Sequence, residues 1–229
     1  MSGAPHARGE WFQGARDSLP LALNAFALAI GFGVLARTAG LTVIETSLMS
    51  ALVFAGAAQF AALPLLSAAA SPAAIIAATA AINLRHLLMG ASLTRVLRRV
   101  PPPTLAAISF GLTDETYALV MGRARRQPLS PAYVLGSFLA MYVGWNAGTA
   151  LGAGLGTLIG PPERYGLDFA VTAVFIALLT FFLEGRPAWG VLGAAAVIST
   201  AGLLTLPGNS HLIAAGLGAS LVGAVLEKR

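Results

Sequence analysis

Uncharged apolar runs of membrane-crossing length recur along this chain, and they limit its fold more than any other feature. Residues 18–36 and 46–66 carry no charge. Further apolar runs begin at Pro72 and Ser130 and cover 168–183, 187–206 and 210–226. A bilayer core is crossed by about 20 apolar helical residues. Only 10% of the residues are charged, where a soluble domain has about 25%. The chain is therefore an all-α, polytopic membrane helical bundle. The 26 glycines suit helices that pack closely in lipid. The expected organisation is a cytoplasmic lead over 1–17 and one transmembrane domain over 18–227. The first run is long for a cleaved signal peptide, whose apolar core is usually about 7–15 residues.

The net charge of +5 does not suggest nucleic-acid binding, because the basic residues gather at membrane edges. Arg95, Arg98 and Arg99 precede Pro101-Pro102-Pro103, and Arg123, Arg125 and Arg126 form a second group. Positive clusters stay on the cytoplasmic side. The apolar stretch 104–121 lies between them, which favours a re-entrant or broken segment that enters the membrane and returns over a full span that overrides the charge rule. If the N-terminus is also inside, one of the first three runs is not a simple span. The run 46–66, interrupted by Gly56 and Pro64, is the candidate. That makes about seven membrane segments, with broken or re-entrant helices among them. Corresponding helix breaks in two halves mark transporter binding sites. The Gly-rich stretch 144–160, with Trp145 and Asn146 in a possible substrate cavity, is the expected counterpart of 46–66.

Polar residues inside the apolar runs single out the chemistry. Asn83, Arg85 and His86 stand in four consecutive positions. One charge at the centre of a membrane helix costs roughly 2.5–3.5 kcal/mol on insertion scales, so a partner, a wet cavity or a helix end must compensate. Asn83 and His86 share a helix face, and Arg85 points about 100° away. Asp114 and Glu115, with Tyr117 close by, are the nearest unassigned acids. A guanidinium can pair with such an acid or hold a substrate carboxylate in two hydrogen bonds. Histidine is the side chain suited to proton relay at neutral pH. The other reading places Arg85 and His86 at a helix end, reaching for the interface. Gln59 likewise has two readings: an amide offered to substrate at an unwound turn beside Gly56, or one interhelical hydrogen bond.

Enzyme chemistry has little support. Ser92 follows Gly90-Ala91, but Leu93 stands where a nucleophile motif needs glycine. No spacing suggests a metal site, a P-loop or a dinucleotide fold. Cysteine is absent, which removes disulfides and thiolate ligands. No cofactor is expected.

Four elements in order resemble the AzlC family of branched-chain amino acid exporters. They are Asp17-Ser18-Leu19-Pro20, the Gly-Ala-Ala-Gln-Phe element within 54–60, the Asn-Leu-Arg-His element within 82–93, and the Leu-Thr-Asp-Glu element within 109–118. The resemblance covers the first 120 residues well and the remainder mainly by hydropathy. Ala57-Ala58 replaces the common Ala-Ser, and Asn83 stands where some members carry Asp. The resemblance implies an inner-membrane exporter of branched-chain or other hydrophobic amino acids, working with a small AzlD-type membrane subunit. Read with it, Gly56, Gln59, Asn83 and Arg85 are the expected substrate-binding residues. His86, Asp114 and Glu115 are the expected proton-coupling residues, and Tyr117, Trp145 and Asn146 belong to a possible cavity. The competing classes are a non-transporting membrane scaffold or assembly subunit, and a passive channel.

Overall fold

A computed structural model describes residues 4–97, 100–156, 176, 179–180, 183, 185–206 and 210–226. The described residues form helices and connecting turns, in two compact units, Met1–Ala170 and Val171–Arg229. The expected span over 168–183 and the expected loops at 160–168 and 207–209 lie wholly or largely outside the described residues, as do Arg98 and Arg99.

The first unit begins with α1 (Ala4–Asp17) and α2 (Leu19–Thr38). Ser18 joins them as a nearly continuous rod: its N–H donates to the Gly14 carbonyl at 3.2 Å, and its own carbonyl accepts from Ala22 at 2.8 Å. Residues 4–17 are therefore built into the bundle. Both helices lie along α8 (Pro131–Leu155). Gly136 faces the Trp11 carbonyl, Gly144 the Ala22 carbonyl, Gly148 the Phe26 carbonyl and Gly152 the Ile30 carbonyl. The numbers rise together, so the rod and α8 run parallel. A Cβ at Gly144 would come within 2.7 Å of a backbone oxygen, so the close approach depends on glycine. Gly154 lies off this face.

The run 46–66 is interrupted, as expected, but the break precedes Gly56. Helix α3 (Val43–Val53) stops at Phe54, which takes the left-handed conformation at φ +44°, and α4 (Gly56–Ser67) starts two residues later. Contacts with α8 show the path. Ser50 bonds Thr149, Tyr142 donates to the Ala51 carbonyl, and Phe54 packs on Phe138 and Tyr142. Helix α3 thus runs against α8, from its C-terminal end to its middle. Helix α4 turns back: Gly56 lies under Trp145, and Phe60 packs between Phe32 and Trp145. At the other end of α3, Thr42 and Glu45 form a reciprocal capping box. The Thr42 N–H and hydroxyl hold the exposed Glu45 carboxyl below the usual carboxylate range.

Helix α5 (Pro72–Val96) starts at a Ser71 cap and returns along the bundle, burying Leu93 with Tyr133 and Val134 near the start of α8. The stretch 104–121 is then split between α6 (Pro102–Phe110) and α7 (Asp114–Ala124). Phe110 at the end of α6 reaches Phe138 and Tyr142, whereas Arg123 at the end of α7 lies over the Tyr133 ring. This element enters from the α1 end and returns to it. The two interrupted elements therefore approach from opposite ends and turn at the middle of α8. One expectation is corrected here. The counterpart of 46–66 is 102–124 and not 144–160, because α8 is unbroken through Leu155, with Gly144, Gly148 and Gly152 taken up in contact with α2; residues 157–160 lie outside the described residues.

The second unit contains α9 (Gly185–Thr205) and α10 (Ser210–Leu226), packed as an antiparallel pair through Gly190 on Leu226, Gly218 on Ile198 and Gly202 on His211. Among the described residues, α2, α5 and α9 are both long and apolar enough to cross a membrane.

Candidate functional site

The expected site residues fall into two groups, one at each turn. At the first turn the group is neutral and buried. Gln59 Nε2 donates to Ser50 Oγ at 2.9 Å, and Trp145 Nε1 lies 3.1 Å from both Ser50 Oγ and Gln59 Oε1. Ser50 Oγ is 2.8 Å from Thr149 Oγ1. Since Ser50 Oγ accepts from two N–H groups, its own proton goes to Thr149. Ser50, Gln59 and Thr149 have no exposed surface. The Gln59 geometry is that of the interhelical hydrogen bond, tying α3, α4 and α8 together at the break. Trp145 is part of this tie, while Asn146 returns its amide to the Tyr142 carbonyl of its own helix at 2.9 Å. No side chain caps the start of α4.

At the second turn the group is charged and partly open. Thr113 and Thr116 exchange capping hydrogen bonds, so the acids that follow Thr113 are left available in the first turn of α7. A helix start favours negative charge there. Arg85 Nη1 meets Asp114 Oδ2 at 2.6 Å, with the two side chains 29% and 36% exposed. Ser92, two turns further along α5, is 2.7 Å from the Tyr117 hydroxyl. The Ser92 hydroxyl already donates to the Met89 carbonyl, so Tyr117 is the donor between them. Arg85, Asp114 and Tyr117 are thus brought together along one α5–α7 seam.

Their neighbours are less engaged. His86 Nδ1 lies 3.2 Å from the Asn83 carbonyl in its own helix. Asn83 Oδ1 and Arg85 Nε are buried atoms without a hydrogen-bond partner. The half-buried Glu115 carboxylate makes no hydrogen bond or ion pair among the described residues. The second turn therefore holds a cation with an unpaired Nε and two carboxylates, while Asn83 and His86 make no hydrogen bond to α7 among the described residues. Among the described residues, no cluster of His, Asp and Glu has the makings of a metal site.

Sequence reasoning missed Ser50 and Thr149, hydroxyls that leave little trace in apolar runs. It also took Arg123 as one of a basic cluster at the membrane edge. The structure buries Arg123 on the Tyr133 ring at 4.0 Å, with Glu10 at 2.8 Å and Asp17 at 3.9 Å. Opposite charges at Glu10 and Asp17, spaced seven apart in the lead, were the available signal.

The chain is similar to known proteins over most of its length. The model of the family described as AzlC protein matches residues 20–159. A protein of Archaeoglobus fulgidus called an uncharacterized membrane protein is 36% identical over 208 residues, covering 90% of this chain and 91% of its own. The inner membrane protein YgaZ of Escherichia coli is 29% identical, over 95% of this chain and 90% of its own. The branched-chain amino acid transport protein AzlC of Bacillus subtilis is 28% identical, over 96% of this chain and 88% of its own. No solved structure matches. With a family match over more than half its residues, this chain belongs to the AzlC family.

Proposed function

We propose that this chain is a secondary transporter that exports branched-chain or other hydrophobic amino acids across the inner (plasma) membrane, coupled to protons and acting with a small AzlD-type membrane subunit. The observation that carries the reading is the partly open Arg85–Asp114 pair at the turn of an interrupted helix. Broken helices at mid-membrane are where transporters place substrate and coupling ions. The name of the Bacillus subtilis relative supports the substrate class, and that of the Escherichia coli relative the inner membrane.

In this reading the substrate carboxylate replaces Asp114 on Arg85, a guanidinium being suited to two parallel hydrogen bonds. The half-buried Glu115 carboxylate receives the ammonium. Protonation of Asp114 weakens its hold on Arg85 and links proton movement to substrate entry, with His86 and Glu115 as relay groups. Gly56 and Gln59 serve by holding the first turn in place, with Trp145 over Gly56. Tyr117 and Asn146 flank the path.

The test is leucine and valine efflux from preloaded proteoliposomes, with and without the small subunit, under an imposed pH gradient. The reading expects saturable efflux that follows the gradient. Saturable efflux indifferent to the gradient discards the proton roles. Unsaturable flux identifies a channel, and the absence of flux with any amino acid in either preparation favours a scaffold.

A further inference from the structure

Where the two interrupted elements meet, four aromatic rings close on one another. Phe54 comes from the turn of the first element and Phe110 from the turn of the second; Phe138 and Tyr142 stand one turn apart on α8. All six pairs are in contact, with centroids from 5.0 Å for Phe54–Tyr142 to 6.3 Å for Phe54–Phe110. We propose that this ring cluster is the barrier between the two membrane faces, and that transport requires the turn carrying Phe110 to withdraw from it. This inference rests on the transport reading above and adds a gate to it.

Three observations support it. First, the cluster lies between the neutral group around Gln59 and the charged group around Asp114, and it contains no charge. An apolar constriction keeps water and ions out by dewetting; of the four rings Phe54 is buried, Phe138 and Tyr142 are half-buried and Phe110 is 44% exposed. Second, Phe54 is held at φ +44°, a conformation that bulky residues rarely adopt and that tends to mark mechanical or functional positions. The strained turn is what aims its ring at Phe110. Third, the tip of the second element is tethered by a polar contact that can break: Arg85 holds Asp114, four residues beyond Phe110. An amino acid with an apolar side chain can replace one ring's contacts with its own as it passes, while its charged end stays at Arg85. A charged or strongly polar side chain has no such exchange to make.

The experiment measures how long proteoliposomes containing the full chain hold an imposed pH gradient, read by a trapped pH-sensitive dye without any amino acid present. Vesicles with the unaltered chain should hold the gradient. Phe110→Ala and Phe54→Ala should dissipate it, and Phe110→Leu, which keeps an apolar plug, should not. Alanine variants that elute as intact protein and hold the gradient as long as the unaltered chain would overturn the proposal. As a second variant, Phe54→Cys with Phe110→Cys exploits a chain that has no cysteine of its own. Bridging the pair with a short bifunctional maleimide should stop leucine efflux, whereas capping each thiol singly should not, and equal efflux in both would also overturn the gate. If the unaltered chain moves no amino acid while the alanine variants still leak, the substrate reading fails and the barrier stands.

Discussion

The two helix turns meet at the same ring cluster but are built on different physical principles. The turn at Phe54 is held by burial: a left-handed phenylalanine, three polar side chains with no exposed surface, and hydrogen bonds whose donors and acceptors all find protein partners. The turn at 111–113 is held by caps and charge: the Thr113–Thr116 exchange, the Arg85–Asp114 pair, and acids left partly open in the first turn of α7. A buried neutral network is costly to disturb, because each unpaired group keeps its full desolvation penalty. A partly open ion pair can exchange partners. The first turn is suited to be a fixed support and the second to be the working part.

Substitutions can break this contrast, and the largest effect is expected on transport at the second turn. Arg85→Ala and Asp114→Asn should each abolish efflux from proteoliposomes while leaving membrane insertion and melting in detergent nearly unchanged. Full efflux in both variants would remove these residues from the site. The opposite pattern is expected at the first turn. Ser50→Ala removes the acceptor of the Gln59 N–H and leaves the Trp145 N–H with Gln59 Oε1 alone, which costs about 1–3 kcal/mol for the unsatisfied group. Thermal unfolding in detergent should show this as a clear loss of stability, larger than that of Asp114→Asn.

Glycines beside the two turns sharpen the comparison. A Cβ on Gly111 would run into the root of the Phe138 ring, whereas one on Gly56 would meet only the far edge of Trp145 at 2.8 Å. Gly111→Ala should therefore destabilise by about 1–3 kcal/mol through overpacking, and Gly56→Ala by less; equal melting of the two variants would contradict these contacts. The smallest effect is expected from Thr113→Val, which removes one cap worth about 1 kcal/mol. That variant should lower the melting temperature slightly and slow efflux by displacing Asp114 from Arg85, the efflux change being the more visible of the two.

The small residues of α8 show why part of the fold resisted a reading from sequence. Glycines at 144, 148 and 152 mark a close-contact face, and that face does exist against α2. The same glycines resemble an unwound segment, since glycine serves both close approach and irregular backbone. Which of the two applies depends on whether a neighbouring helix fills the space. The interruption within 104–121 was legible because two arginine clusters cannot lie on opposite sides without violating the charge rule. Arg123 shows the limit of that argument: its charge counts toward the side of the membrane, yet the side chain is consumed by Glu10, Asp17 and the Tyr133 ring.

By itself the sequence determined the membrane class, the interrupted segments and the residues whose presence in apolar surroundings demands an explanation: Asn83, Arg85, His86, Asp114 and Glu115. Each follows from a local quantity, the cost of placing a given side chain in lipid, which needs no knowledge of neighbours. Only the tertiary structure decided that Arg85 pairs with Asp114 and not with Glu115, that Gln59 is satisfied by Ser50 and Trp145, and that Phe54 and Phe110 meet at the middle of α8. A phenylalanine in an apolar run looks like any other, because its transfer from water is equally favourable against lipid or against another ring. What distinguishes these four rings is their mutual geometry, and that arises only when two elements entering from opposite ends turn at the same depth.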